Sequence, residues 1–257
     1  MPAKKSKGTL VLLHGLGGSG EDWAPAAKLL AKDFTVHALE LPGSARGPHP
    51  GKGYEPGPLA RWVFSEIGKT PLLLAGHSLG GRVAGEMAAL APDHVRALAL
   101  VSPLGSAPYG VLDRLKWKAM SRRALLESVP ETSLRNAAGY GFAVHGPGRT
   151  GFVARTLETR TGPAGKQTVQ ATEQIVDGVL AAPPLAERMK GTSMPLLLVT
   201  GAKDPLAPAE ELRAILGARP DATLLEMPGI GHYALLEDPP RLARALRDFF
   251  AEVFAGA

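Results

Sequence analysis

Ser78 stands in Gly76-His77-Ser78-Leu79-Gly80, directly behind the apolar run 72–75 and directly ahead of a helix-like stretch from Arg82 to Ala91. In that strand–turn–helix setting a tight turn lifts the serine hydroxyl clear of the backbone, and the flanking glycines let strand and helix approach closely. A serine hydroxyl is a weak nucleophile at its own pKa. It needs a base within hydrogen-bond reach, and the base needs a third group to orient it. Two later loops supply both types. Asp204 follows the apolar run 196–200 in Gly201-Ala202-Lys203-Asp204-Pro205, and His232 follows 223–226 in Pro228-Gly229-Ile230-Gly231-His232. Asp204-Pro205 alone could be an ordinary turn and His232 alone a structural loop histidine. Their placement after consecutive strands, in the order serine, acid, histidine, points to acyl transfer through a covalent serine intermediate.

The tetrahedral intermediate of that chemistry carries an oxyanion, which needs two donors. The N–H of Leu79 follows the nucleophile at a helix N-terminus, where the dipole favours negative charge. The second donor is expected from the glycine-rich turn His14-Gly15-Leu16-Gly17-Gly18, with the Leu16 N–H aimed inward and His14 and Gly15 supporting the turn. His37 and His94 lie in or beside strands, His49 lies in a loop, and His145 reads as surface, so none rivals His232.

Positioning these groups requires a scaffold, and the hydrophobic pattern describes one. Short apolar runs at 10–13, 34–39, 72–75, 95–101, 196–200 and 223–226 are near-continuous in Leu, Val and Ala, which suits parallel strands covered on both faces. Helical patterns fall between them at 23–31, 59–67, 79–91, 209–216 and 241–254. The alternation predicts an α/β fold, a doubly wound, mostly parallel sheet of about six strands, with chemistry beyond the carboxyl ends of the strands. From 104 to 190 the alternation stops and helical patterning takes over, as at 111–128 and 166–180. The expected organisation is a core of residues 1–103 and 191–257 carrying a helical cap of residues 104–190.

Composition narrows the function classes. Cysteine is absent, which excludes a disulfide, a thiolate metal site and a cysteine nucleophile. The chain carries a formal charge of +5, and the 104–190 window holds 12 Lys/Arg against 7 Asp/Glu, so the whole excess lies there. No polybasic run or nucleic-acid motif accompanies it, and no apolar run approaches a membrane span. The expectation is a soluble cytoplasmic protein acting on a small molecule, with no cofactor or metal, no nucleic-acid or membrane partner, and a monomeric or homodimeric state.

Five motifs in this order, His14-Gly15-Leu16-Gly17-Gly18, Leu41-Pro42-Gly43, Gly76-His77-Ser78-Leu79-Gly80-Gly81, Gly201-Ala202-Lys203-Asp204 and Gly231-His232 with Glu237-Asp238-Pro239, resemble the α/β-hydrolase superfamily in its serine-nucleophile, esterase- and lipase-like branch. The resemblance implies Ser78 as nucleophile, His232 as general base, Asp204 as orienting acid, Leu16 and Leu79 as oxyanion donors, and a helical cap over the pocket. Glu40 stands where relatives often carry Asp before Leu-Pro-Gly. The implied reaction is hydrolysis of a carboxylic ester or thioester, with carbon–carbon bond hydrolysis as an alternative.

Arg82 raises a further alternative, because an arginine four residues after the nucleophile is similar to the menaquinone-pathway synthase, a pyruvate-eliminating lyase. There it helps bind an anionic substrate. Arg114, Arg122, Arg123, Arg135, Arg149 and Arg155 could clamp carboxylates in the same way, although Arg82 could equally pair with Glu86 at i+4. Tyr140 and Phe142, with Tyr109, Trp117, Met120 and Phe152, are the candidate pocket walls, of which no more than two are expected to touch a ligand.

Overall fold

The Leu/Val/Ala runs become six parallel strands in the order β2-β1-β3-β4-β5-β6: β1 Thr9–Leu13, β2 Thr35–Leu39, β3 Leu72–His77, β4 Val95–Val101, β5 Leu196–Gly201 and β6 Thr223–Met227. This is a computed structural model, and it describes residues 7–68, 71–122, 130–161 and 165–255. Alternate strand residues point to opposite faces, so each strand feeds two cores. Val11, Leu13, Leu72, Leu74, Leu98, Leu100, Leu196 and Leu198 pack on one side, and Leu10, Leu12, Leu73, Ala75, Ala97, Ala99, Leu197 and Val199 on the other. That two-sided burial is why the strands read as continuous apolar runs. The edge strands β2 and β6 are the partly exposed ones.

The first face is covered by α2 Pro56–Ile67, α3 Leu79–Leu90 and α9 Ala209–Ala218, the second by α1 Ala24–Leu30 and α11 Pro239–Ala255. Two of these helices begin earlier than their apolar periodicity predicts. Both start on proline, at Pro56 and Pro239, whose fixed φ and missing N–H suit a first helical turn.

Between β4 and β5 the described residues form helices and no strand: α4 Val111–Ser121, α5 Glu131–Gly139, α6 Pro147–Thr161, α7 Gly165–Ala181 and α8 Leu185–Met189. The pattern at 111–128 is helical to Ser121, and its end at 123–129 lies outside the described residues, as does Arg123. α8 departs from the rest of the insertion. Leu185 packs on Gly85 of α3, and its N–H donates to the Gly105 carbonyl at 2.7 Å, so the stretch up to residue 190 returns to the core before β5 begins.

The β3–α3 junction needs its glycines. A Cβ at Gly76 would overlap the Gly80 carbonyl, and one at Gly80 would overlap the backbone of Leu13 and His14. Strand, helix and the turn after β1 are in backbone contact at this point, a packing that side chains would force apart.

Candidate active site

Ser78 links β3 to α3 at φ 54 and ψ −114, one of two non-glycine residues with positive φ among those described. Such a conformation persists only where the surroundings over-determine it. Here the Ser78 N–H donates to Val101 O at 2.9 Å, and the Ser78 carbonyl accepts from Arg82 N at 3.0 Å and Leu104 N at 3.1 Å. The side chain is thereby presented beyond the carboxyl ends of β3 and β4.

Asp204 and His232 meet on the loops after β5 and β6. His232 Nδ1 lies 2.9 Å from Asp204 Oδ2 and 3.1 Å from Oδ1, with both side chains buried. Asp204 Oδ1 also accepts the N–H groups of Leu206 at 2.8 Å and Ala207 at 2.9 Å. Burial by itself would raise this carboxyl, but the His232 charge, its hydrogen bond and the Ala207 N–H outweigh burial and hold it at about 2. Asp204 is therefore ionised at any working pH and fixes a proton on Nδ1, leaving Nε2 free to accept one. Ser102 Oγ, buried at the end of β4, lies near this carboxyl but outside hydrogen-bond geometry.

Neither the Leu16 N–H nor the Leu79 N–H donates to an acceptor among the described residues. The turn that carries Leu16 sits against Ser78, since a Cβ on Gly15 would come within 3.1 Å of Ser78 Cβ. His14 holds that turn. Its Nε2 accepts the Leu41 N–H at 3.0 Å, so Nδ1–H donates to Gly15 O at 2.8 Å, and burial keeps the ring neutral by lowering its pKa. Glu40 joins the same brace by accepting the Gly20 N–H at 3.0 Å.

Three supports of His232 carry no assigned role in the motifs. His77 Nε2–H donates to the His232 carbonyl at 2.9 Å, and its ring packs 4.8 Å from the His232 ring. Burial, and then the His232 charge, push the His77 pKa down to about 3, so it serves as a neutral donor. The His232 N–H donates to Gly141 O of the insertion at 2.7 Å. Glu237 gathers four N–H groups, from Gly231 and Tyr233 beside the histidine and from Ala143 and Val144 of the insertion, and so ties the two segments together. A glutamate six residues after Gly231 is legible in sequence, but its partners from 94 residues away are not.

A cavity of about 330 Å³ lies under the insertion. Leu16 and Tyr233, the neighbour of His232, line it, while Trp117, Met120, Leu134, Phe152, Val169 and Val176 make its walls apolar. A second, more polar cavity of about 250 Å³ shares Gly17, Phe152 and Thr159 with it and opens beside Ser19 and Asp22. Of the expected wall residues, Trp117, Met120 and Phe152 line the larger cavity. Phe142 does not. It stacks on Tyr233 at 4.1 Å and packs behind the wall. Tyr140 is 52% exposed, with Lys116 Nζ 5.6 Å from its ring centroid, and faces solvent.

Arg82 is corrected as well. It is 0% exposed, donates to Glu86 Oε1 at 2.7 Å, and shares that carboxylate with Arg188 at 2.8 Å. Its position four residues after Ser78 turns it along α3 into the core, where its i+4 partner neutralises it, so it is not a substrate clamp. Arg122, Arg135 and Arg155 also meet carboxylates, on Glu173, Glu131 and Asp22. Among the described residues no three His, Asp or Glu cluster as a metal site, and no helix is long and apolar enough to cross a membrane.

One carboxyl near the site titrates unusually. Burial, reinforced by the charges of Asp113 and Asp204, raises Glu211 from its ordinary 4.5 to about 7. A folded-state pKa above the unfolded one means the folded protein binds the extra proton, so stability falls as pH rises between these two values. Glu211→Gln is expected to abolish that fall. Thermal unfolding should show the variant gaining on wild type from pH 5 to pH 8, and a gap independent of pH would contradict the assignment.

The comparisons agree with this fold. Residues 10–245 match the model of the "Alpha/beta hydrolase family". A pimeloyl-[acyl-carrier protein] methyl ester esterase of Chromobacterium violaceum is 30% identical, the alignment covering 93% of this chain and 92% of that protein. A putative carbamate hydrolase of Pseudomonas syringae is 27% identical over 95% of this chain and 93% of its own length. Among solved structures, a probable hydrolytic enzyme of Pseudomonas aeruginosa superimposes with a TM-score of 0.82 at 23% identity, over 96% of this chain and 86% of that one. An esterase of Thermogutta terrifontis gives 0.81 at 20% identity, over 97% and 92%. With the family match spanning every strand and both later loops of the site, the chain belongs to the alpha/beta hydrolase family and is one of its enzymes.

Proposed function

We propose that the protein is a serine hydrolase that cleaves a carboxylic ester or thioester through an acyl-enzyme on Ser78. The observation that carries this reading is the buried Asp204–His232 pair on the loops after β5 and β6, beside a strained serine flanked by two uncommitted N–H groups. Ser78 Oγ attacks the carbonyl carbon while His232 Nε2 takes its proton. The oxyanion accepts hydrogen bonds from the N–H groups of Leu16 and Leu79, neither of which has an acceptor among the described residues. His232 then returns the proton to the departing alcohol or thiol. Water enters, is deprotonated by the same nitrogen, and releases the acid.

The helices from α4 to α7 act as a cap that closes the apolar cavity over the acyl group and excludes water from the bond being broken. The esterase and carbamate-hydrolase names of the relatives favour the same class of reaction. The lyase alternative loses its footing with the burial of Arg82.

A fluorophosphonate probe tests the nucleophile without knowledge of the substrate. Stoichiometric labelling, mapped to Ser78 by peptide mass spectrometry and accompanied by loss of p-nitrophenyl ester hydrolysis, is the expected result. Hydrolysis that persists in fully labelled protein would sink the mechanism.

A further inference from the structure

Among the described residues the apolar cavity has a single charged wall residue, Arg160, in the last turn of α6. Among the described residues it has neither an ion-pair nor a hydrogen-bond partner, unlike Arg122, Arg135, Arg155 and Arg188 of the same insertion. Burial lowers its pKa, and no neighbouring carboxylate offsets that cost. On the adjoining helix α7, Thr168 lines the same cavity at 6% exposure, and its Oγ1 has no hydrogen-bond partner. Two other threonines of this wall, Thr156 and Thr172, differ. Thr156 Oγ1 donates to Phe152 O at 2.9 Å, and Thr172 Oγ1 donates to Thr168 O at 2.8 Å. A half-buried guanidinium and a buried hydroxyl, both unsatisfied in an otherwise apolar chamber, are costly to the free protein and are relieved by an anion.

We infer that Arg160 and Thr168 form a carboxylate subsite, so that the preferred substrate is an ester or thioester whose acyl chain ends in a carboxylate. The guanidinium fork matches a carboxylate in two parallel hydrogen bonds, and the Thr168 hydroxyl donates a third. One cation among the described wall residues suits a monoanion better than a phosphate. The spacing agrees with a chain between the two groups. Phe152, whose ring lies 4.7 Å from Tyr233 beside His232, precedes Arg160 on α6 by two helical turns, a rise of roughly 12 Å. The apolar walls between them, Leu134, Val169 and Val176 among them, fit methylene groups.

The subsite rests on the hydrolase reading above and names its substrate class. The test compares mono-p-nitrophenyl esters of linear dicarboxylic acids with p-nitrophenyl alkanoates of equal chain length. In wild type the half esters should show the higher kcat/KM. Arg160→Gln should cut that preference by roughly 10- to 100-fold, the range lost with a charge-assisted hydrogen bond, chiefly through KM. Arg160→Lys should restore part of it, because the charge returns without the fork.

A preference unchanged in Arg160→Gln, or no preference in wild type, overturns the subsite. Failure of the hydrolase reading would look different, as loss of turnover on neutral and anionic esters alike in wild type. The subsite is then read from binding alone. The free dicarboxylate should raise the Tm of Ser78→Ala protein and should not raise that of the Ser78→Ala/Arg160→Gln double variant. Equal shifts in the two proteins overturn the proposal.

Discussion

Replacing Ser78 by alanine is expected to lower kcat toward p-nitrophenyl esters by about 10⁶-fold, the scale on which a triad enzyme fails when its nucleophile is removed. The loss should be one of chemistry and not of folding. The Ser78 backbone is held by three hydrogen bonds, to Val101, Arg82 and Leu104, none of which uses the hydroxyl. Alanine keeps the same strain at φ 54, so thermal unfolding should move by less than about 0.5 kcal/mol.

Glycine at the same position sharpens the test. It adopts positive φ without the Cβ penalty and should stabilise the fold by about 1 kcal/mol while being equally inactive. That pairing of greater stability with lost activity would mark strain retained for function. If Ser78→Ala kept more than a hundredth of wild-type kcat, the acyl-enzyme route would be wrong, whatever the probe labels.

The parts of this site that could be read from sequence are those tied to the end of a strand. Ser78 and Asp204 each follow an apolar run buried on both faces and His232 follows the partly exposed edge strand β6, so locating the strands locates the residues. The glycine-rich turn after β1 was legible for the same reason, since its backbone meets α3 at Gly80. The helical insertion was legible as a region and opaque in detail. Helical periodicity says which residues share a face but not what the face meets.

Arg82 and Arg160 make the contrast. Both are arginines on helices near the site. The first points into the core and is neutralised by Glu86, one turn away, while the second lines the cavity and has no carboxylate from its own helix or its neighbour. The local difference between them in the sequence is slight, a glutamate at i+4 of Arg82 where Arg160 has Ala164. Phe142 was misplaced on the same ground, being one ring too far back in a stack whose exposed member is Tyr233. The braces at His77 and Glu237 act largely on backbone groups, which carry no residue signature.

Asp204→Asn is the second large effect, expected at about 10⁴-fold in kcat. The amide is nearly isosteric and its oxygen can still accept the Leu206 and Ala207 N–H groups that Oδ1 accepts now. Its NH₂ then faces His232 Nδ1, which must become an acceptor, so the ring proton moves to Nε2. A protonated Nε2 cannot take the proton of Ser78. The residual rate should come from the oxyanion donors and the cavity, leaving KM near its wild-type value.

Acid unfolding provides an independent reading of the same residue. The Asp204 carboxyl is held at about 2 in the folded protein, below its ordinary 3.8, so the folded state binds fewer protons between these values. Its contribution, about 2 kcal/mol, is complete above about pH 4 and lost as pH falls through the folded value. The stability difference between wild type and Asp204→Asn should accordingly shrink as pH falls from about 4 toward 2 in urea titrations. Retention of more than a tenth of wild-type kcat, or a stability gap that does not close in acid, would show that Asp204 neither orients His232 nor carries the charge assigned to it.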